Sequence, residues 1–261
     1  MNEEISKKNL MEISPERDFI SGSPLAVRYA ILASPRSGST LISRMLYETK
    51  MAGDPLEYFN PYLLQLERTR TGLPNLGYQE FLSQMEHRRT SPNGYFGIQL
   101  HYSQFMDAFS AQRISESMAR FILCFDKLIW VRRRDRLRQA VSFALARRNN
   151  VWSSEDIETR RIGSVSEIHP AAMVQAMNVV CGNDFGWERL IKSLRLKVHQ
   201  VWYEELVADY DNQCAKVMNY LEIPDSALQI PSPPIDRQAS EINEQLLFEL
   251  RTYLGYEPRK A

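Results

Sequence analysis

Cysteine is nearly absent. Cys124, Cys181 and Cys214 are the only three in 261 residues, odd in number and widely spaced. That excludes a disulfide framework and a Cys-x-x-Cys metal site, and makes a reducing cytoplasm the simplest setting. Histidine is scarce too, with four residues and no cluster of ligand-type side chains around them, so no metal is expected. Neither sign of charge is in excess: 32 Lys and Arg balance 32 Asp and Glu. A surface built as a polyelectrolyte partner for DNA or RNA is thereby excluded, though a local basic site is not. No run approaches the roughly 20 apolar residues of a membrane span. The opening MNEEISKKNLMEISPERD has charges without an apolar stretch, so no signal peptide is expected. There is no internal repeat and no low-complexity tract.

What remains is an ordinary globular composition, 44% hydrophobic and 25% charged, at a length near the upper end for a single core. Residues 1–25 are polar, end in Ser21-Gly22-Ser23-Pro24 and read as a mobile lead-in; residues 26–261 read as one domain. Short apolar runs predict strands at 27–33, 95–100, 127–131 and 198–203. Helical spacing of apolar residues predicts helices from about Ser39 to Thr49, Leu137 to Arg148, Pro170 to Leu194, Glu205 to Leu221 and Glu241 to Leu254. Strands alternating with helices imply an α/β fold: a P-loop-like three-layer α/β/α sandwich around a mainly parallel sheet. The stretch 60–90 carries no readable motif.

The first strand runs into Ser34-Pro35-Arg36-Ser37-Gly38-Ser39-Thr40, and a helix follows. A small-residue loop in this position is an anion site, because the backbone can approach closely and the first helical N–H groups point outward. Ser37, Ser39 and Thr40 add hydroxyls, and Arg36 adds a permanent cation that can fork onto phosphate or sulfate. A nucleotide-hydrolysing P-loop needs a Lys after its last Gly, to reach the β- and γ-phosphates. Here Ser39 follows Gly38. The loop therefore suits a nucleotide with one 5′ phosphate-type group better than it suits ATP.

The stretch Ala33 to Leu41 resembles the 5′-phosphosulfate loop of sulfotransferases. It is most similar to that of the bacterial carbohydrate sulfotransferases of the trehalose 2-sulfotransferase type, relatives of the nodulation-factor enzymes. Further landmarks follow in order. Gly53-Asp54-Pro55-Leu56-Glu57-Tyr58-Phe59 resembles the family's G-E-P-x-E-F-F, and Gly97-Ile98-Gln99-Leu100 its G-x-K-L. Arg133 to Phe143 resembles R-P-D-x-x-x-Q-A-V-S-F, and Asn150-Val151-Trp152 a following Q-V-W. Tyr203-Glu204-Glu205-Leu206 resembles Y-E-x-L, and Arg237-Gln238-Ala239 the terminal R-Q-A. Together they span residues 31 to about 240. The resemblance implies 3′-phosphoadenosine-5′-phosphosulfate (PAPS) as cofactor, PAP as its product, no metal, and a carbohydrate or glycolipid acceptor. Dimers are common in such enzymes, but no interface signature for a homodimer stands in this sequence.

The resemblance also implies a second anion site for the 3′-phosphate, at Arg133 and Ser142. The sequence agrees in part, since Arg133 leaves the third strand at its carboxyl end, where open α/β sheets bind ligands. Arg237 is a further phosphate candidate. Seven arginines crowd residues 132–148, and Arg136, Arg138, Arg147 and Arg148 read mainly as a solvated basic face. An acceptor hydroxyl must lose a proton, so a base is needed within hydrogen-bond reach. Glu57 matches the position proposed as base in the trehalose-type enzymes, and its sequence neighbours Leu56, Tyr58 and Phe59 suggest an apolar setting. His101 is the rival. It shares a strand face with Gln99, as in the K-x-H of eukaryotic cytosolic sulfotransferases, but Gln99 stands where both patterns have Lys. Asp54, Gln99 and Trp152 are candidates for the substrate side, with a turn-forming Asp54 and a core Trp152 as alternatives. Two other functions stay open at this stage: a small-molecule P-loop-like kinase, and a non-catalytic binder of nucleotides or sulfated glycans.

Overall fold

The computed structural model describes residues 12–19, 24–110, 114–150, 152, 168–223, 230, 232–233 and 241–256. Four parallel strands form one sheet in the order β2-β1-β3-β4. They are β1 (Val27–Ala33), β2 (Tyr95–His101), β3 (Lys127–Arg132) and β4 (His199–Trp202). The helices are α1 (Ser39–Glu48), α2 (Pro61–Thr71), α3 (Tyr78–Arg89), α4 (Tyr102–Ala108), α5 (Glu116–Leu123), α6 (Arg136–Asn149), α7 (Pro170–Leu194), α8 (Tyr203–Ala208), α9 (Tyr210–Leu221) and α10 (Glu241–Tyr253).

Strand periodicity divides the core in two. On one face Ala30 and Leu32 join Phe96, Ile98, Leu100, Leu128 and Trp130, covered by apolar side chains of α2, α3, α4, α5 and α7. On the other, Tyr29 and Ile31 join Ile129, Val131 and Val201 beneath α1, α8 and α9. A third cluster packs α6, α7 and α10 together. Gly97 is the residue of β2 that faces the Tyr29 ring, which a Cβ there would overlap. The Tyr29 hydroxyl crosses that gap to donate to the Ala52 carbonyl at 2.7 Å. The α/β/α sandwich and its parallel sheet are as expected from sequence.

Three expectations change. The helix expected over Glu205–Leu221 is two, α8 and α9, broken at Asp209, whose φ −148° and ψ 69° lie outside the helical region. The unreadable stretch 60–90 folds into α2 and α3. Neither has a clean apolar stripe, because charged residues point inward: Glu67 and Arg89 are both 0% exposed. Part of the lead-in is docked as well. Ser14 caps a short 3-10 turn, Pro15–Arg17, by accepting from the Glu16 N–H, and Ile13 is buried against the first core face. Arg17 forks onto Asp54 at 2.6 and 2.8 Å.

Those charges form one network. The Asp54 carboxylate also accepts from Arg89, whose Nη2 reaches the carbonyls of Glu12 and Ser14 at 3.1 and 2.9 Å. Arg88 spans Asp18 at 2.8 Å and Glu67 at 3.1 Å, and Glu67 takes Arg70 as well. Removing one member of a buried ion pair strands its partner in a low-dielectric interior, a far larger loss than that of a surface pair. Arg89→Met is therefore expected to lower unfolding stability by about 3–5 kcal/mol, measured by urea denaturation. A loss under about 1 kcal/mol, the scale of an exposed pair, would show that the network does not anchor the 12–19 segment.

Candidate functional site

Register aligns the strand ends. Ala33 of β1 lies opposite His101 of β2 and Val131 of β3, and Arg132 lies opposite Trp202 of β4. The chain leaves all four strands on one edge of the sheet, where ligands bind in open α/β folds.

The loop after β1 is held from below and from the side. Trp187 of α7 donates its indole N–H to the Ala33 carbonyl at 2.9 Å. Gln139 of α6 is fully buried and donates from one amide nitrogen to Ser34 Oγ at 2.9 Å and the Pro35 carbonyl at 2.7 Å. Arg36 has the left-handed backbone with φ 61°, and Gly38, the N-cap of α1, has φ 94° and no capping side chain. A Cβ on Gly38 would lie 2.7 Å from the Tyr203 ring, so the loop packs on that ring with no room for a side chain. Ser37 is fully buried and Ser39 nearly so, while Thr40 at the first turn of α1 is exposed.

Three residues predicted to bind anions come together beside this loop. The Arg36 guanidinium donates from Nε to Ser142 Oγ at 3.0 Å and from Nη1 to the Trp152 carbonyl at 2.5 Å. Arg133 stacks over the Tyr203 ring, 4.4 Å from its centroid, and its Nη1 lies 3.4 Å from the Arg36 carbonyl. Burial lowers the pKa of Arg133, while Tyr203, Asp135 and Glu204 oppose the shift. Glu204 is occupied elsewhere: burial would raise its pKa, but hydrogen bonds from the backbone N–H groups of Asp135 and Arg134 hold it below the usual carboxylate range. Two buried donors of this cluster, Ser37 Oγ and Arg133 Nε, have no hydrogen-bond partner among the described residues. Orphaned buried donors are costly, and here they flank a cation at a strand end, so the residues present fit an anionic ligand.

A second cluster sits next to the first. Glu57 accepts from Gln99 Nε2 at 2.9 Å on one carboxylate oxygen and from Gln104 Nε2 at 2.8 Å on the other. His101 Nδ1 lies 3.5 Å from the second oxygen, and its Nε2 is 3.4 Å from the Gln99 amide nitrogen. Gln99 Oε1 accepts from Ser43 of α1 at 2.6 Å. The Glu57 side chain is 26% exposed and that of His101 11%. Glu57 thus lies among amide donors, not against the apolar wall that its sequence neighbours suggested.

The other candidates lie in settings that their sequence context does not show. Asp54 is 1% exposed and its carboxylate is taken by Arg17 and Arg89, which assigns it to the scaffold and not to a substrate hydroxyl. Gln99, expected on the substrate side, is buried at 2% with its amide engaged at both ends. Trp152 is no core residue: it is 43% exposed, its indole N–H donates to Asn150, and its ring leans on Phe143. Of the four arginines read as a basic face, Arg136 pairs with Asp184, which Arg132 shares, and Arg138 with Glu244, while Arg147 and Arg148 are exposed. Arg237 lies outside the described residues. Sequence reasoning missed Ser43, Gln104 and Gln139. Gln139 alone left a trace, as the Gln of the segment that begins at Arg133.

Among the described residues no group of three or more His, Cys, Asp or Glu could hold a metal ion, and no helix is long and apolar enough to cross a membrane. Fold and site together define an α/β protein with a donor-rich strand-to-helix loop that fits an anion, and with a carboxylate–imidazole cluster alongside. The profile of the Stf0 sulphotransferase family matches residues 28–251, and the chain belongs to that family. It is 25% identical to the trehalose 2-sulfotransferase of Mycolicibacterium smegmatis over 83% of this chain and 91% of that one. It is 26% identical to the trehalose 2-sulfotransferase of Mycobacterium tuberculosis over 84% and 93%.

The loop conformation itself can be tested. Gly38→Ala places a β-carbon at positive φ and against Tyr203, which costs about 1–3 kcal/mol of folding stability. Chemical denaturation should show that loss, and an unchanged midpoint would mean that the loop does not hold this conformation.

Proposed function

We propose that this protein transfers the sulfuryl group of PAPS to a hydroxyl of a carbohydrate or glycolipid acceptor, with Glu57 as general base. The observation that carries the proposal is the convergence of Arg36, Arg133 and Ser142 beside a loop with orphaned donors, with the Glu57–His101 cluster at the end of the neighbouring strand β2. PAPS, when bound, supplies an activated sulfuryl group on a good leaving phosphate. Ser37, Gly38, Ser39 and Thr40 would hold its 5′ end through hydroxyl and backbone N–H donors. Arg133 and Ser142 would hold its 3′-phosphate. Arg36 lies between these two groups and adds positive charge, which is worth most where negative charge grows during transfer. The missing Lys after Gly38 counts against ATP. The three free thiols are in keeping with the cytoplasm as the place of action.

The choice between Glu57 and His101 follows from hydrogen bonding. An ionised carboxylate only accepts, so it fixes the Gln99 amide nitrogen toward itself. The second N–H of that nitrogen faces His101 Nε2, which makes Nε2 the acceptor and Nδ1 the protonated nitrogen, turned to Glu57. Both imidazole nitrogens are thereby engaged. Glu57 is more exposed, and its Oε1, which takes only the Gln99 amide, keeps a free lone pair for an acceptor hydroxyl, while Oε2 faces both Gln104 and His101. The name of the two relatives makes trehalose the first acceptor to try.

Calorimetric titration tests the cofactor. PAP should bind more tightly than 5′-AMP, ADP or ATP–Mg²⁺, and Arg36→Ala should weaken it. A preference for ATP–Mg²⁺ would replace this reading with a kinase, and unchanged affinity in Arg36→Ala would remove Arg36 from the site. For the base, Glu57→Gln should cut kcat for transfer by about 10²–10⁴-fold with PAP affinity kept. If His101→Ala gives that loss and Glu57→Gln does not, the base is His101.

A further inference from the structure

Glu57 is a loop residue, yet its carboxylate is held more firmly than its place in the chain suggests. Neutral amides approach it from two elements, Gln99 from β2 and Gln104 from α4, one on each oxygen. The orientation of Gln104 is informative. Its Nε2 faces Glu57, while its Oε1 is buried with no hydrogen-bond partner among the described residues. Flipping the amide would set that oxygen against a carboxylate oxygen, so the orientation is dictated by the charge on Glu57, at the expense of an unsatisfied acceptor. Gln99 is fixed just as tightly, since its oxygen accepts from Ser43 at 2.6 Å while its nitrogen serves Glu57. Ser43 lies on α1, the helix that starts at the phosphate-type loop. A continuous chain, Ser43–Gln99–Glu57–Gln104, therefore runs from the anion-binding helix to the candidate base.

We infer that Ser43, Gln99 and Gln104 are positioning residues that clamp Glu57 in one orientation and register it against the loop helix. The inference rests on the reading of Glu57 as base. Neutral amides suit the task, because they fix the direction of the lone pairs without supplying a counter-charge that would compete for the proton. A base held this way needs no reorganisation when the acceptor hydroxyl arrives.

The test is a double-mutant cycle on transfer from PAPS to trehalose. Gln104→Leu should lower kcat by about tenfold to a hundredfold, the scale of a lost hydrogen bond to a charged group, with KM and PAP affinity near wild type. In the Glu57→Gln background the same substitution should do almost nothing further, since the carboxylate it serves is gone. A full, additive loss in both backgrounds would mean a merely structural role and would overturn the clamp, as would an unchanged kcat in Gln104→Leu. Ser43→Ala should act in the same direction as Gln104→Leu and show the same coupling to Glu57. If Glu57→Gln retains wild-type kcat, the base reading fails. The clamp is then decided without turnover, as it also is if trehalose is not an acceptor or a variant does not fold. The side-chain amide NMR signals of Gln99 and Gln104, assigned by their loss in Gln99→Leu and Gln104→Leu, should both move in Glu57→Ala. Signals that stay in place would overturn it.

Discussion

The register of β1 against its two neighbours is the constraint on which the site depends. Ala33 is opposite His101 and Val131, so three strands end level, and the groups that follow them meet without a long loop. A shift of one residue would turn each side chain of β1 to the other face. Tyr29 would then lose its place over Gly97, and Ala30 and Leu32 would leave the core face they share with Leu100 and Trp130. Register is thus fixed by packing far from the chemistry. The loop inherits its position from that packing, and Trp187 and Gln139 pin it there.

Arginine is used in two ways, and the contrast marks the site more clearly than any count of charge. Arg17 and Arg89 share Asp54, Arg132 and Arg136 share Asp184, and Arg138 pairs with Glu244. These contacts hold segments together. Arg133 makes no ion pair among the described residues. It has an aromatic ring beneath it, a carbonyl at 3.4 Å and an orphaned Nε. A partly buried guanidinium without a carboxylate on it is a local positive charge suited to an anion, even in a protein of zero net charge.

The parts of this fold that sequence reveals are those governed by local pattern. The run 27–33 is apolar and short, the following loop is rich in small donors, and the structure has a strand and an anion-type loop there. Arg36 from that loop, and Arg133 and Ser142 that the family resemblance implies, are brought together although Arg36 and Ser142 stand 106 positions apart. What the pattern hides is long-range charge pairing. Asp54 beside a turn-forming Pro looks like a solvent or substrate residue, and Glu67 and Arg89 look like the polar faces of surface helices. Each is buried because a partner from another segment is present, and no local rule carries that information. The docked part of the lead-in is held in the same way, by Arg17 on Asp54, Asp18 on Arg88 and the carbonyls of Glu12 and Ser14 on Arg89. Gln104 was overlooked because a glutamine on a short helix has no signature until the carboxylate beside it is seen.

Gln99 is where sequence and structure explain each other. The resemblance leads one to expect a lysine, and a glutamine there suggests a weakened site. In the fold, that position must do two things at once: accept from Ser43 on the helix of the anion loop, and donate to Glu57. An ammonium has three donors and no acceptor, so a lysine would force Ser43 to reverse its bond and would set a full positive charge beside the candidate base. An amide carries one acceptor and one donor group at opposite ends of a rigid plane, which is the pairing these two neighbours require. With cations already supplied by Arg36 and Arg133, the departure from the family pattern reads as a division of labour. Arginines from the β1 and β3 ends handle charge, and the glutamine of β2 handles direction.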